Sequence, residues 1–181
     1  MESTDTRPAT SGSSMVTGLF SDRERAEKAY GTLSARGYDP KDVSVVMSDD
    51  TRERYFAPGT RTTELGNKAA KGAGIGGAIG GTVGAVAAAI AAIGTALVLP
   101  GLGLVVAGPI AAALAGAGAG GAAGGLIGAL VGAGIPEERV KHYEAGIKKG
   151  GILMGVKPRS PEDAAYFEQE WRNSGGEHIY R

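Results

Sequence analysis

Sixty-five consecutive residues, Gly72 to Pro136, carry no charged side chain. Folded surfaces in water seldom lack charge over such a length, so this block is surrounded by lipid or by other protein. It also holds 20 of the 32 glycines in the chain. Glycine costs a helix roughly 1 kcal/mol per interior site relative to alanine. Its heavy use here needs a physical reason.

The spacing supplies one. Gly72, Gly76, Gly80 and Gly84 stand every four residues, and Ala88, Ala92 and Ala96 continue the row. Gly116, Gly120, Gly124, Gly128 and Gly132 form a second row. Larger residues, such as Ile75, Ile79 and Val83 and then Ile110, Leu114 and Leu130, take the other sides. Rows of small residues let helix backbones approach closely, the packing mode of membrane helices. Pro100, Gly101 and Gly103 interrupt the pattern in "LPGLG" and predict a turn. The spacing therefore predicts a helical hairpin over 72–135, with those nine glycines as its packing surface.

Residues 72–99 as a helix would extend roughly 42 Å, more than the ~30 Å hydrocarbon core of a bilayer. Lys68 and Lys71 precede the block, and Arg139 and Lys141 follow it. Positive flanks stay cytoplasmic, which predicts a two-span transmembrane hairpin in a bacterial inner membrane with the globular part facing the cytoplasm. Two other settings stay open. The apolar turn "LVLPGLGLVVAG" suits a re-entrant wedge, and the weak apolarity of glycine and alanine suits the core of a soluble oligomer.

The flanks read as ordinary α+β protein. Residues 1–14 are a polar tail, expected to be disordered. In 15–48, "MVTGLF" is a β-prone run, and Ser21 with Glu24 fits a capping box. Ala26, Ala29, Tyr30 and Leu33 then fall on one helical stripe, and "DVSVVM" is a second strand. Residues 49–71 are expected to be a polar linker. In 136–181, Pro136 suits a first helical position, with Glu137 and Glu138 at the start and Lys148 and Lys149 at the end. Val140, Tyr143 and Ile147 make the buried stripe of that helix. "GILMGV" is a strand, Ser160 caps a further helix with Ala164, Phe167 and Trp171 on its apolar face, and "EHIY" is a last strand. The segments 15–48 and 151–180 are thus each strand–helix–strand. Neither alone can bury a core. Side by side they predict a four-stranded sheet with helices on one face, a ferredoxin-like α+β sandwich interrupted by the insertion.

Little in the chain points to chemistry. A net charge of zero argues against a nucleic-acid surface, and without cysteine there is no thiol nucleophile or thiolate metal site. His142 and Glu138, one helical turn apart, offer two metal ligands and no third; His178 lies far away in sequence. "GAGIGG" matches a dinucleotide fingerprint in form, but a polar linker precedes it and no acidic residue follows for 60 residues. The expectation is a protein that is not an enzyme, with no catalytic residues, cofactor or metal. A small-molecule ligand is unknown.

The stretches "VTGLFSDRERAEKAYGTL" and "GIPEERVKHYEAGIKKGGILMGV", on either side of a Gly/Ala block, resemble the bacterial general stress protein domain family in versions carrying a glycine-zipper insertion. The resemblance covers about residues 15 to 181 and implies a stress-associated, non-enzymatic protein at the membrane. The expected function is that of a domain anchored in membrane lipid and self-associated into a homo-oligomer by its glycine rows. One alternative is a ligand- or protein-binding regulatory module with the hairpin as a simple anchor. Another is a soluble assembly with the hairpins buried in its core.

Overall fold

Three strands that are apolar on both of their faces organise the molecule. In the computed structural model, residues 15–56, 97–99, 103–112, 125–132 and 135–181 are described. In chain order the elements are β1 (Val16–Phe20), α1 (Arg23–Ala35), β2 (Val43–Ser48), α2 (Asp49–Phe56), β3 (Leu97–Leu99) and β4 (Leu104–Ala107). Then come α3 (Gly125–Gly132), α4 (Glu137–Lys148), β5 (Ile152–Val156), α5 (Pro161–Asn173) and β6 (Glu177–Tyr180). The fold is α+β, with one six-stranded sheet in the order β3-β4-β2-β5-β1-β6. Every neighbouring pair is antiparallel. β5, from the second flank, lies between β1 and β2 of the first, so the two strand–helix–strand units interleave across the insertion.

The local sequence signals explain the helices. Asp22, one residue after the expected Ser21, caps α1 by accepting the Arg25 N–H at 2.9 Å. Ser160 caps α5 in the same way through the Asp163 N–H at 3.1 Å. The expected stripes are buried: Ala26, Ala29, Tyr30 and Leu33 on α1, Val140, Tyr143 and Ile147 on α4, and Phe167 and Trp171 on α5.

β1, β2 and β5 are buried from end to end, apart from the half-exposed Ser48. One face carries Val16, Phe20, Val43, Val45, Ile152 and Met154, covered by α1 and α5. Its centre is aromatic, with Phe20 edge-on to Trp171 at 5.7 Å and Tyr38 edge-on to Phe167 at 5.0 Å. The other face carries Leu19, Val46, Leu104, Val106 and Leu153, covered by Val140, Tyr143 and Ile147 of α4 and by Leu130 of α3. The expected arrangement placed helices on one face only. The structure corrects it, because strands with continuous apolar runs need cover on both sides.

The insertion differs most from expectation. The residues flanking Pro100, Gly101 and Gly103, expected to be the outer turn of a helical hairpin, form the antiparallel pair β3–β4. β4 then extends the sheet by pairing Leu104–Ala107 with Val45–Ser48 of β2. "LVL" and "LVVA" hold the branched residues that strands favour, whereas alanine dominates elsewhere in the block. No described helix is both long and apolar enough to cross a membrane. Residues 49–56, expected to be linker, form α2, helped by an i,i+3 contact between Asp49 and Arg52 at 2.9 Å. The tail 1–14, most of the linker and the run 72–96 lie outside the described residues.

If α3 is part of the core, Leu130→Ala should lower unfolding stability by about 2–4 kcal/mol, the usual cost of deleting a fully buried leucine side chain. Urea denaturation would measure this; a loss below about 0.5 kcal/mol, the scale of surface changes, would mean that α3 is not a working part of the second layer.

Candidate functional site

The most unusual site is where the uncharged insertion joins the sheet. The Asp49 N–H at the start of α2 donates to the Gly103 carbonyl at 2.8 Å, and the Ser48 hydroxyl accepts the Thr51 N–H at 3.1 Å. At the other end of α2, the Arg23 guanidinium donates to the Tyr55 carbonyl at 2.8 Å and lies 5.2 Å from the Phe56 ring centre. The end of α2 is therefore clamped to α1. Beyond β4, Gly108 has φ +83°, and a Cβ there would collide with the Val43 carbonyl. Only glycine makes that turn. It brings the Ile110 N–H to the buried Ser44 hydroxyl at 3.2 Å.

These attachments limit what the insertion can do. Leu97–Leu99 and Leu104–Ala107 belong to the sheet. Ile110 and Leu130 belong to the same apolar layer. Within the charge-free block, the runs 72–96 and 113–124 lie outside the described residues. The stretch expected as the outer turn of the hairpin, 97–108, therefore has its described strands in the sheet of the domain, and the described residues lend no support to a two-span hairpin.

The expected packing glycines are scattered by this arrangement. Gly72, Gly76, Gly80, Gly84, Gly116, Gly120 and Gly124 lie outside the described residues, as do Pro100 and Gly101 of the turn. Gly103, between β3 and β4, has φ +59°. Gly128 and Gly132 are on α3. Among the described residues, nothing lies within 4 Å of where a Cβ of Gly132 would stand. The bulky side of α3, Ile127 and Leu130, meets the core instead.

Two polar clusters tie the flanks together, and each saturates its own groups. At one end, the Tyr38 hydroxyl accepts the Arg159 N–H and donates to the Asp163 carboxylate, both at 2.7 Å. Arg36 holds the other oxygen of Asp163 at 2.8 Å, and the Arg159 guanidinium stacks 4.0 Å over the Tyr38 ring. Burial, then the bond to Asp163, raises the pKa of Tyr38. On the second face, the Tyr143 hydroxyl donates to the His178 carbonyl at 2.9 Å. It therefore accepts from the Thr17 hydroxyl, 2.7 Å away. Burial pushes the pKa of Tyr143 up to about 12, against a smaller opposing effect of the Thr17 bond.

Beside Tyr143 the fold joins two residues that sequence reasoning left apart. His142 of α4 and His178 of β6 stack, with ring centres 4.7 Å apart and planes 15° from parallel. His178 is the one non-glycine described residue with positive φ, +49°, where the β1–β6 register shifts. Arg139 lies 4.7 Å from the Tyr180 ring centre on the same patch. No sequence signal marks this pair, because neither helical nor strand periodicity relates positions 36 residues apart. Among the described residues, no group of three or more His, Cys, Asp or Glu is placed to hold a metal. An open cleft of about 460 Å³ lies between the start of α1 and the end of α5. Its two cations are engaged, Arg25 with Asp22 and Lys28 with the Asn173 carbonyl.

Comparison with known proteins returns nothing: no family model, curated protein or solved structure matches the chain.

The raised pKa of Tyr143 sets an alkaline limit on stability. Its contribution is complete below pH 10, the ordinary value, and is lost as pH rises from there to about 12. The loss amounts to about 2–3 kcal/mol. Tyr143→Phe should remove that part of the alkaline loss while costing about 1 kcal/mol at neutral pH through the His178 carbonyl left without its donor. Denaturant midpoints across the alkaline range would test both effects; an unchanged pH dependence would contradict this role.

Proposed function

We propose that the chain is a non-enzymatic assembly module in which a ferredoxin-like α+β domain presents the Gly/Ala run 72–96 for self-association. The supporting observation is that the residues directly after this run, Leu97–Leu99, form β3 in the sheet of the domain, so the run ends on the domain. Interleaving of the two units in the order β2-β5-β1-β6 supports the ferredoxin-like reading of these four strands. The row Gly72, Gly76, Gly80 and Gly84 offers a surface on which backbones of neighbouring copies approach closely. The non-enzymatic reading draws on the polar clusters, whose hydroxyl, carboxylate and guanidinium groups are used in joining the two flanks. The stress association comes from the family resemblance.

Lipid is the second setting, favoured by the uncharged run and by Lys68 and Lys71 just before it. A run of 25 uncharged residues that ends at β3 is too short for two spans and would enter lipid as a wedge from the cytoplasmic side. Gly76→Leu/Gly80→Leu separates the outcomes, measured with wild type by light scattering on a sizing column and by carbonate washing of membranes. Wild-type particles of many copies that shrink in the variant would support self-association. Wild type retained in the washed membrane pellet would move the reading to the lipid wedge. Monomers in both fractions, or particles indifferent to the substitutions, would overturn the glycine-row reading.

A further inference from the structure

We propose that β3 is a docking edge for a second copy of this chain, the two copies pairing Leu97–Leu99 antiparallel about a two-fold axis at Val98 and so joining their sheets into one. The sheet ends in two edge strands, β3 and β6, and they are built differently. β6 carries Glu177 and His178, has positive φ at His178, and shifts register against β1. Charge and irregularity are means by which sheet edges discourage pairing with other chains. β3 has neither: Leu97, Val98 and Leu99 are uncharged and pair with Val106, Val105 and Leu104 of β4 in unbroken register. Among the described strands, β3 has no neighbour on its other side. Such an edge presents backbone N–H and C=O groups to an incoming strand.

A second copy is the occupant that fits. Leu97, Val98 and Leu99 read the same in both directions, so an antiparallel copy centred on Val98 sets Leu97 against Leu99 and Val98 against Val98. A contact of this kind is self-complementary and closes as a pair. The surroundings match it in charge. None of the described residues in β3, β4, 108–112 or α3 is charged, so two copies meeting at this end bring no like charges together. α3 belongs to the same end, because its Leu130 shares an apolar cluster with Leu104 and Val106 of β4. Beside Leu130 stands Val131, the one large apolar side chain that the described residues leave exposed. Pro100 directly follows β3 and confines the pairing to three residues, so this apolar surface adds to the contact. β3 contains none of the expected packing glycines, and its pairing does not rest on the glycine-row reading.

The chain has no cysteine, so a single introduced thiol reports the contact. Residues opposed across an antiparallel pair have Cα atoms about 4.5–5.5 Å apart, within the ~4.4–6.8 Å that a disulfide spans. In the full chain under mild oxidation, Val98→Cys should form a disulfide-linked dimer roughly tenfold faster than Glu177→Cys on the β6 edge. Leu97→Cys should lag behind Val98→Cys as well, because its counterpart in the second copy would stand about 8 Å away. The Val98→Cys cross-link should persist when Gly76→Leu/Gly80→Leu is added, whatever those substitutions do to larger particles. A wild-type chain that sediments as a monomer, a Val98→Cys rate no greater than that of Glu177→Cys or Leu97→Cys, or a cross-link lost with the glycines would overturn the proposal.

Discussion

The three central strands, β1, β2 and β5, have no face that water can wet, and most of the fold follows from that. Val16 and Phe20 of β1 point to one side and Leu19 to the other; Val45 and Met47 of β2 oppose Val46; Ile152 and Met154 of β5 oppose Leu153. Each of these large side chains stabilises the fold by roughly 1.5–3 kcal/mol when removed from water. A single helical layer would leave half of them exposed. α1 and α5 close one side, and α4 closes the other. Because α4 cannot span the β4 side of the second face, Ile110 and the bulky stripe of α3 complete it. Part of the uncharged insertion is therefore core material.

The same constraint explains why a domain can carry so long an interruption. The polar contacts that join the flanks are remote in sequence: Thr17 with Tyr143, Tyr38 with Asp163, and Arg159 with Asp42. Loop-closure entropy grows only with the logarithm of loop length, so once β1, β2 and β5 pair, residues added between them cost little. The insertion in turn lengthens the sheet through β3 and β4. It is bound to the domain by backbone pairing, by the Gly108 turn and by the Asp49–Gly103 hydrogen bond. The described parts of the insertion are therefore built into the domain.

The flanks were legible in the sequence. Stripes such as Val140, Tyr143 and Ile147 report which side of a helix is buried, because apolar side chains at helical spacing have one physical use in water. Caps such as Ser160 report where a helix begins. The insertion was less legible, for a definite reason. Small residues every four positions suit close helix packing, yet the same block contains "LVL" and "LVVA", short branched runs that periodicity over a long window averages away. Those seven residues decided its architecture. The histidine pair left no trace at all, since two isolated exposed residues gain meaning only from adjacency.

By itself, the sequence determined the elements of the flanks, the need to shield an uncharged block, and the pairing of two strand–helix–strand units into one domain. These are consequences of local propensity and of hydrophobic periodicity, which are properties of neighbouring residues. Only the tertiary structure decided that α4 covers a second face, that the centre of the insertion joins the sheet through β4, and that His142 meets His178. Those outcomes depend on which exposed edge and which apolar face remain unfilled once the central strands have paired, and such vacancies exist only in three dimensions.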